Sequence, residues 1–299
     1  MTDPRIAAFA RVASGNLNAA RAIEGQRTKL TRVAHGIAYD PIHDLIIAAE
    51  PLAGSLVFFR GGANGNIPPL RVIQGPHTGI HQPLQVTVDP VHNEVWIADF
   101  GGARLAAYPL FGNGDVAPLR VISSARTGMR LPAGVAVDPQ TNLVIAAARD
   151  AHYHGGLYIF KRTDNGDVAP LRVISGPTTG LLGVWHVQAW HGIIYATALN
   201  SAYRMPYDPG GHAPMPGCKG PISEFAPGPL GFIGIWKETD NGDVAPRGII
   251  RGADTQIIEP GGLALDPRDG EIFVSSGRIN GITGYLTPQF FAPSLSTPD

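Results

Sequence analysis

The chain has 299 residues, with 23 Lys and Arg against 24 Asp and Glu, a formal net charge of −1 and only 16% charged residues. Such a balance offers no basic stripe to neutralise phosphates, so nucleic acid is not expected as a partner. No apolar run approaches the ~18 residues of a membrane span, and none is expected.

In chain order, the opening Met1-Thr2-Asp3-Pro4-Arg5 lacks the basic and apolar regions of a signal peptide. The compartment is therefore read as cytoplasmic, or as periplasmic or extracellular where a signal has been removed. Two apolar runs follow, at 5–12 and 20–23. Beyond them a segment repeats: Asn113-Gly-Asp-Val-Ala-Pro-Leu-Arg-Val-Ile122 returns almost unchanged at 165–174, more loosely at 64–73 and 241–250, and in worn form at 14–23. Its glycines, Gly15, Gly65, Gly114, Gly166 and Gly242, are 50, 49, 52 and 76 residues apart. The long last step implies an insertion in the fourth unit, at about 201–230.

Each unit holds four short apolar runs, here named a to d; in the third they are 134–137, 143–147, 156–160 and 171–174. They are rich in Val, Ile and aromatics and bounded by Gly, Pro, Asp or Asn, which predicts strands. The 38 glycines and 27 prolines agree with many short strands. No window sustains a 3.6-residue period, so few helices are expected. Asp-Pro pairs at Asp40, Asp89, Asp138 and Asp266 predict a–b turns whose carboxylates accept nearby backbone N–H groups. Asn-Gly-Asp is read as the c–d turn, with Gly at positive φ. A calcium role for Asp164-Asn165-Gly166-Asp167 falls short of the ligand count of an EF-hand loop. The arginines of the d strands, Arg71, Arg120 and Arg172, recur with the repeat and are read as structural.

Four antiparallel strands per unit of about fifty residues is the blade of a β-propeller. The expected fold is all-β, one propeller domain over residues 1–299 with five blades, or six where the insertion builds a degenerate one. A c-like run at 5–12 and a d strand at 20–23 are expected to complete the blade begun by the C-terminal strands. A further c-like run lies at 282–290.

Leu131-Pro-Ala-Gly-Val-Ala-Val-Asp138 followed by Leu143-Val-Ile-Ala-Ala147 resembles the NHL-repeat family of propellers. Gln82-Pro-Leu-Gln-Val-Thr-Val-Asp89 with Glu94-Val-Trp-Ile-Ala-Asp99 is a closer copy. The resemblance covers the chain outside 201–230. It implies the propeller fold and admits several activities, among them protein and RNA binding, the zinc-dependent lyase of peptide amidation, and lactonase-like chemistry. The lyase's zinc ligands find no matching motif here.

Propeller topology places d–a and b–c loops on one face, called the top, and a–b and c–d turns on the other. His43, His92 and His191 then fall at the bottom, and the other seven of the ten histidines fall at or near the top. Strand a starts with Gly36, Gly134 and Gly262 in three units, but with Gln85 and His186 in the other two. Trp185 stands beside His186, and Trp190-His191-Gly192 replaces the Asp-Pro turn. Glu50, Asp99, Asp150 and Asn200 stand at the ends of the b strands. Gln85, Asp99, Trp185, His186 and Asn200 are the candidate ligand-binding residues. His35, His152, His154, His186 and Glu50 are the candidate ligands of a divalent metal, zinc or calcium. His152 and His154 are two apart and point the same way on an extended loop.

The insertion, with seven prolines and the soft donors His212, Met215 and Cys218, lacks the second histidine of a blue-copper centre. It is read as a loop capping the top face. Nucleophile elbow, zinc-protease helix, phosphate loop and haem-attachment motifs are missing from the sequence. The leading expectation is a binding or scaffolding propeller that takes a small molecule or protein on its top face. The alternative is a metal-dependent hydrolase or lyase with a His/carboxylate site at the channel mouth.

Overall fold

A computed structural model describes residues 4–123, 125–150, 152, 154–199, 231–277, 279 and 281–291. The protein is an all-β, five-bladed propeller of antiparallel sheets, and its described helices are single 3-10 turns. Complete four-stranded blades are formed by β3(Ile37–Asp40), β4(Leu45–Glu50), β5(Ser55–Arg60) and β6(Arg71–Ile73), and by β7(Pro83–Asp89), β8(Glu94–Asp99), β9(Arg104–Pro109) and β10(Arg120–Ser123). The third blade is β11(Leu131–Asp138), β12(Leu143–Arg149), β13(Gly155–Lys161) and β14(Arg172–Ser175), and the fourth is β15(Val187–Trp190), β16(Ile193–Leu199), β17(Gly231–Lys237) and β18(Gly248–Ile250).

The fifth set begins as β19(Pro260–Asp266), β20(Glu271–Ser276) and β21(Gly281–Leu286). The N-terminal β1(Arg5–Ala8) and β2(Arg21–Glu24) pair with each other as c and d. Sequence reasoning gave β20 an N-terminal partner. In the structure β20 pairs with β21 instead, which follows it after a short connection and so closes a smaller loop. The run at 282–290 stops being a strand at Leu286, and Pro288–Phe291 turns into a 3-10 helix.

Contacts divide the chain into two compact units, residues 1–146 with 161–169, and residues 147–160 with 170–299. The division falls inside the third blade. In the first unit β5 shows why the sequence alternates as it does. Leu56 and Phe58 join Ile47, Val86, Val95, Ile97 and Tyr108 in one core. Val57 and Phe59 face the other way, onto Ile23, Leu30, Ala48 and Ala63. Both faces of the strand are buried, so a period of two selects the neighbour each side chain meets. In the second unit, Ile193, Tyr195, Ile233 and Ile235 pack with Leu263, Ile272, Val274 and Phe291.

The a–b turns follow their predicted chemistry. Asp40 Oδ1 accepts from the N–H groups of Ile42 and His43 at 2.9 and 3.2 Å, and Asp89 Oδ1 from those of Val91 and His92, both at 3.1 Å. The Asn-Gly-Asp segments need a correction. Their glycines do have positive φ, from 77° to 83°, but the segment is more than a turn. Gly114 forms a parallel bridge to Ile73, in the outer strand of the preceding blade. Its N–H donates to Val72 O at 2.7 Å, its carbonyl accepts from Gln74 N at 3.0 Å, and Asn113 Oδ1 accepts from Val72 N at 3.2 Å. The pattern repeats at Gly65 on β2, Gly166 on β10 and Gly242 on β14.

Each of these four c–d loops is thus a clasp on the strand before it. Asn165 explains why 161–169 groups with the first unit, since its Oδ1 accepts from Val121 N at 2.8 Å. Of the acceptors weighed for calcium, Asp167 Oδ1 takes Arg126 N and Asp164 Oδ2 takes Lys161 N. Asn165→Ala is expected to lower stability by about 1 kcal/mol, one net hydrogen bond, measured as a shift of the urea midpoint. No shift would reduce the clasp to a passive contact.

Candidate functional site

The ends of the b strands in the first unit carry two buried carboxylates, Glu50 and Asp99, each 0% exposed. Both organise the d–a loop beneath which they lie. Glu50 Oε2 accepts from Thr31 N at 2.7 Å and from the Thr31 hydroxyl. Asp99 Oδ1 accepts from His81 N at 3.2 Å and Gln82 N at 2.7 Å. Asp99 is also paired with Arg104, Nε to Oδ2 at 3.0 Å, and lies 3.4 Å from His81 Nδ1. Burial raises the Glu50 carboxyl above the usual range, and the two Thr31 bonds only partly offset this.

Gln85 is buried on β7, where its Oε1 accepts from Val135 N of β11 at 3.1 Å. A carboxamide at this place ties two inner strands together, which the glycine of three other units cannot do. His35 is half-buried, and its N–H donates to Ala49 O at 3.2 Å.

In the second unit Trp185 and His186 are both buried, at 8% and 6% exposure. The Arg149 guanidinium lies over the Trp185 ring, 4.1 Å from its centroid, close enough for a cation–π attraction. His186 is held through its backbone, its N–H donating to Thr197 Oγ1 at 3.1 Å and its carbonyl accepting from Thr197 N at 2.9 Å.

His152 and His154 are brought together by Asp150. Its Oδ1 accepts from both backbone N–H groups, at 2.8 and 2.9 Å, and its Oδ2 lies 3.0 Å from His154 Nδ1. Burial pushes the Asp150 carboxyl up, but the bonds from His154 and His152 outweigh it and hold it below the ordinary value. The two rings are 6.2 Å apart and tilted by 47°. Asn200 and the insertion at 201–230, with His212, Met215 and Cys218, lie outside the described residues.

Among the described residues no group of three or more His, Cys, Asp or Glu is gathered as a metal ion would need. The second nitrogen is the informative one. His81 and His154 are 64% and 74% exposed, each with Nδ1 against a carboxylate. The bottom histidines follow the same rule at their turns, His43 on Asp40 and His92 on Asp89, both at 2.7 Å.

Sequence reasoning missed a further group. Glu94, Arg120, Arg162 and Trp96 form a network near the a–b turn of the second blade. Its signal was present: Glu94 and Arg162 stand where the first unit has Leu45 and Gly61.

No protein-family profile and no curated protein matches the chain. Among solved structures, hydrazine synthase of Kuenenia stuttgartiensis is similar over 83% of this chain and 63% of its own, with a TM-score of 0.53 and 11% identity. The likeness is one of fold. This chain therefore spans under two thirds of that protein's length. A nidogen/laminin complex covers 60% of each chain at 16% identity, with a TM-score of 0.45. Among the described residues no helix is long and apolar enough to cross a membrane.

Proposed function

We propose that this chain is an NHL-like propeller, one domain with an insertion at 201–230, that binds a ligand or protein partner through the loops joining b to c and d to a. The observation that carries this reading is the presentation of His81 and His154. Each ring is exposed and has its Nδ1 tied to a carboxylate, at 3.4 and 3.0 Å. Neither has a partner at its other nitrogen among the described residues. A carboxylate behind one nitrogen fixes ring and tautomer, so the other meets a partner with little ordering cost. Asp99 holds the His81 loop through the N–H groups of His81 and Gln82, and Gln85, Trp185, His186 and Asn200 stay in the proposal as ligand-binding candidates.

The test compares wild type with His81→Ala/His154→Ala as bait for partners in an extract of the source cell. Both side chains are exposed, so stability should stay within about 0.5 kcal/mol for each. A specific partner should be retained by wild type and weakened about tenfold or more in the variant, roughly 1.4 kcal/mol. Equal retention by both proteins would overturn the reading. If binding instead follows zinc loading and is lost to chelator, the metal-dependent hydrolase or lyase replaces it.

A further inference from the structure

The first two blades carry the same corner, and only one of them is electrically complete. In the second blade Thr78 Oγ1 donates to Gly75 O at 2.7 Å, Ile80 N donates to Thr78 Oγ1 at 3.1 Å, and Gly79 has φ 62°. Two carbonyls are left pointing at the strand end, those of Thr78 and Gly79. Arg104, the cross-strand partner of Asp99, fills the space between. Its guanidinium donates to Asp99 Oδ2 at 3.0 Å and to Gly79 O, and its Nη2 lies 3.4 Å from Thr78 O. The Tyr108 hydroxyl adds a bond to Thr78 O at 2.7 Å, its pKa pushed up to about 12 by burial.

In the first blade the backbone is the same. Thr28 Oγ1 donates to Gly25 O at 2.6 Å, Leu30 N to Thr28 Oγ1 at 3.2 Å, and Lys29 has φ 59°. Glu50 receives Thr31 N as Asp99 receives His81 N. The donors are gone, however. Ser55 is the cross-strand partner of Glu50, in Arg104's place, and Phe59 stands in Tyr108's. Glu50 is 0% exposed, Ser55 2% and Thr28 0%. Glu50 Oε1 is buried without a hydrogen-bond partner, and no described side chain donates to Thr28 O or Lys29 O.

The geometry points to a bound cation here, in the role that the Arg104 guanidinium plays one blade on. Its ligands are Glu50 Oε1, Ser55 Oγ and the carbonyls of Thr28 and Lys29, one carboxylate and three neutral oxygens. That is a set for a hard cation, sodium or calcium, more than for zinc, whose sites are built mainly on His nitrogen and Cys sulfur. It differs from the imidazole ring drawn from the sequence, and it shares only Glu50 with it. Binding at this corner pins the d–a loop to the first blade and neutralises a buried carboxylate that otherwise stands alone.

The test strips the full-length protein with chelator into choline chloride, then adds CaCl2 or NaCl at constant ionic strength while Tm is followed. Wild type should rise by roughly 4 °C at about a hundredfold excess over Kd, and the arm that does so names the ion. Ser55→Arg restores the pairing of the second blade, so its Tm should no longer respond. Glu50→Gln keeps the size of the side chain and should lose the response too, which decides the matter if Ser55→Arg fails to fold. No rise in wild type with either salt, or an equal rise in wild type and Glu50→Gln, would overturn the assignment.

Discussion

Deleting residues 1–24 is expected to make the chain aggregate. The deletion removes β1 and β2, and with them Ile23, which is 2% exposed. It strips Ile6 and Ile23 from one face of the first blade, where Ala48, Val57 and Phe59 are now 1%, 0% and 1% exposed. Uncovering Val57 and Phe59 costs at most about 3–6 kcal/mol, at the usual 1.5–3 per fully exposed large side chain. The clasp of the first blade also loses its strand, since Gly65 N donates to Ala22 O at 2.6 Å and Asn64 Oδ1 accepts from Ala22 N at 3.0 Å. An exposed apolar face beside unpaired backbone is an aggregation template. Size-exclusion chromatography and thermal melts check this, with Ile23→Ala as the mild companion, expected to cost about 2–5 kcal/mol while keeping the strand. A truncated chain that shows no aggregation and keeps the same Tm would mean that other residues cover this face.

The blades were legible in the sequence because their chemistry is local. Asp40 and Asp89 fix their turns within three residues, and the alternation Leu56-Val57-Phe58-Phe59 records two buried faces directly. The clasps were legible only as a recurring motif. Asn113 serves a strand some forty residues earlier, so spacing within one unit suggests a turn and hides the partner. The candidate site was legible as residue types but not as roles. Asp99 reads as a free carboxylate until Arg104 is found across the strand from it. Gln85 reads as a ligand candidate, and its bond from Val135 N, fifty residues on, is invisible in the sequence. The reverse holds at Glu50, where the telling fact is a pair of absences, Ser55 and Phe59, visible once the two corners are compared atom by atom.

Glu94 is expected to carry one of the largest single-residue contributions to stability in the first unit. It is 5% exposed, and its Oε1 meets two guanidiniums, Arg162 Nη1 at 2.9 Å and Arg120 Nη2. Oε2 accepts from Trp96 Nε1 at 3.1 Å, and Arg120 lies 5.4 Å from the centre of the Trp96 ring. Arg162 also donates to Asn142 Oδ1 at 2.7 Å and lies 3.7 Å from Asp89. Removing the carboxylate leaves two half-desolvated guanidiniums to share what remains. Breaking one side of such a pair costs about 3–5 kcal/mol, and the partial exposure of both arginines puts Glu94→Ala near the lower end. Burial pushes the Glu94 carboxyl up, but Arg120 and Arg162 outweigh it and hold its pKa below the ordinary carboxylate value. A depressed folded pKa means the unfolded chain binds the proton more readily. The contribution is therefore fully present above the unfolded pKa, about 4.3, and is lost as pH falls from there through the folded value. Urea midpoints at pH 7 and pH 3 test both halves of the argument. Wild type should exceed Glu94→Gln clearly at pH 7, and the gap should narrow at pH 3. A gap that stays constant across that range would assign the loss to packing around Trp96 and not to charge.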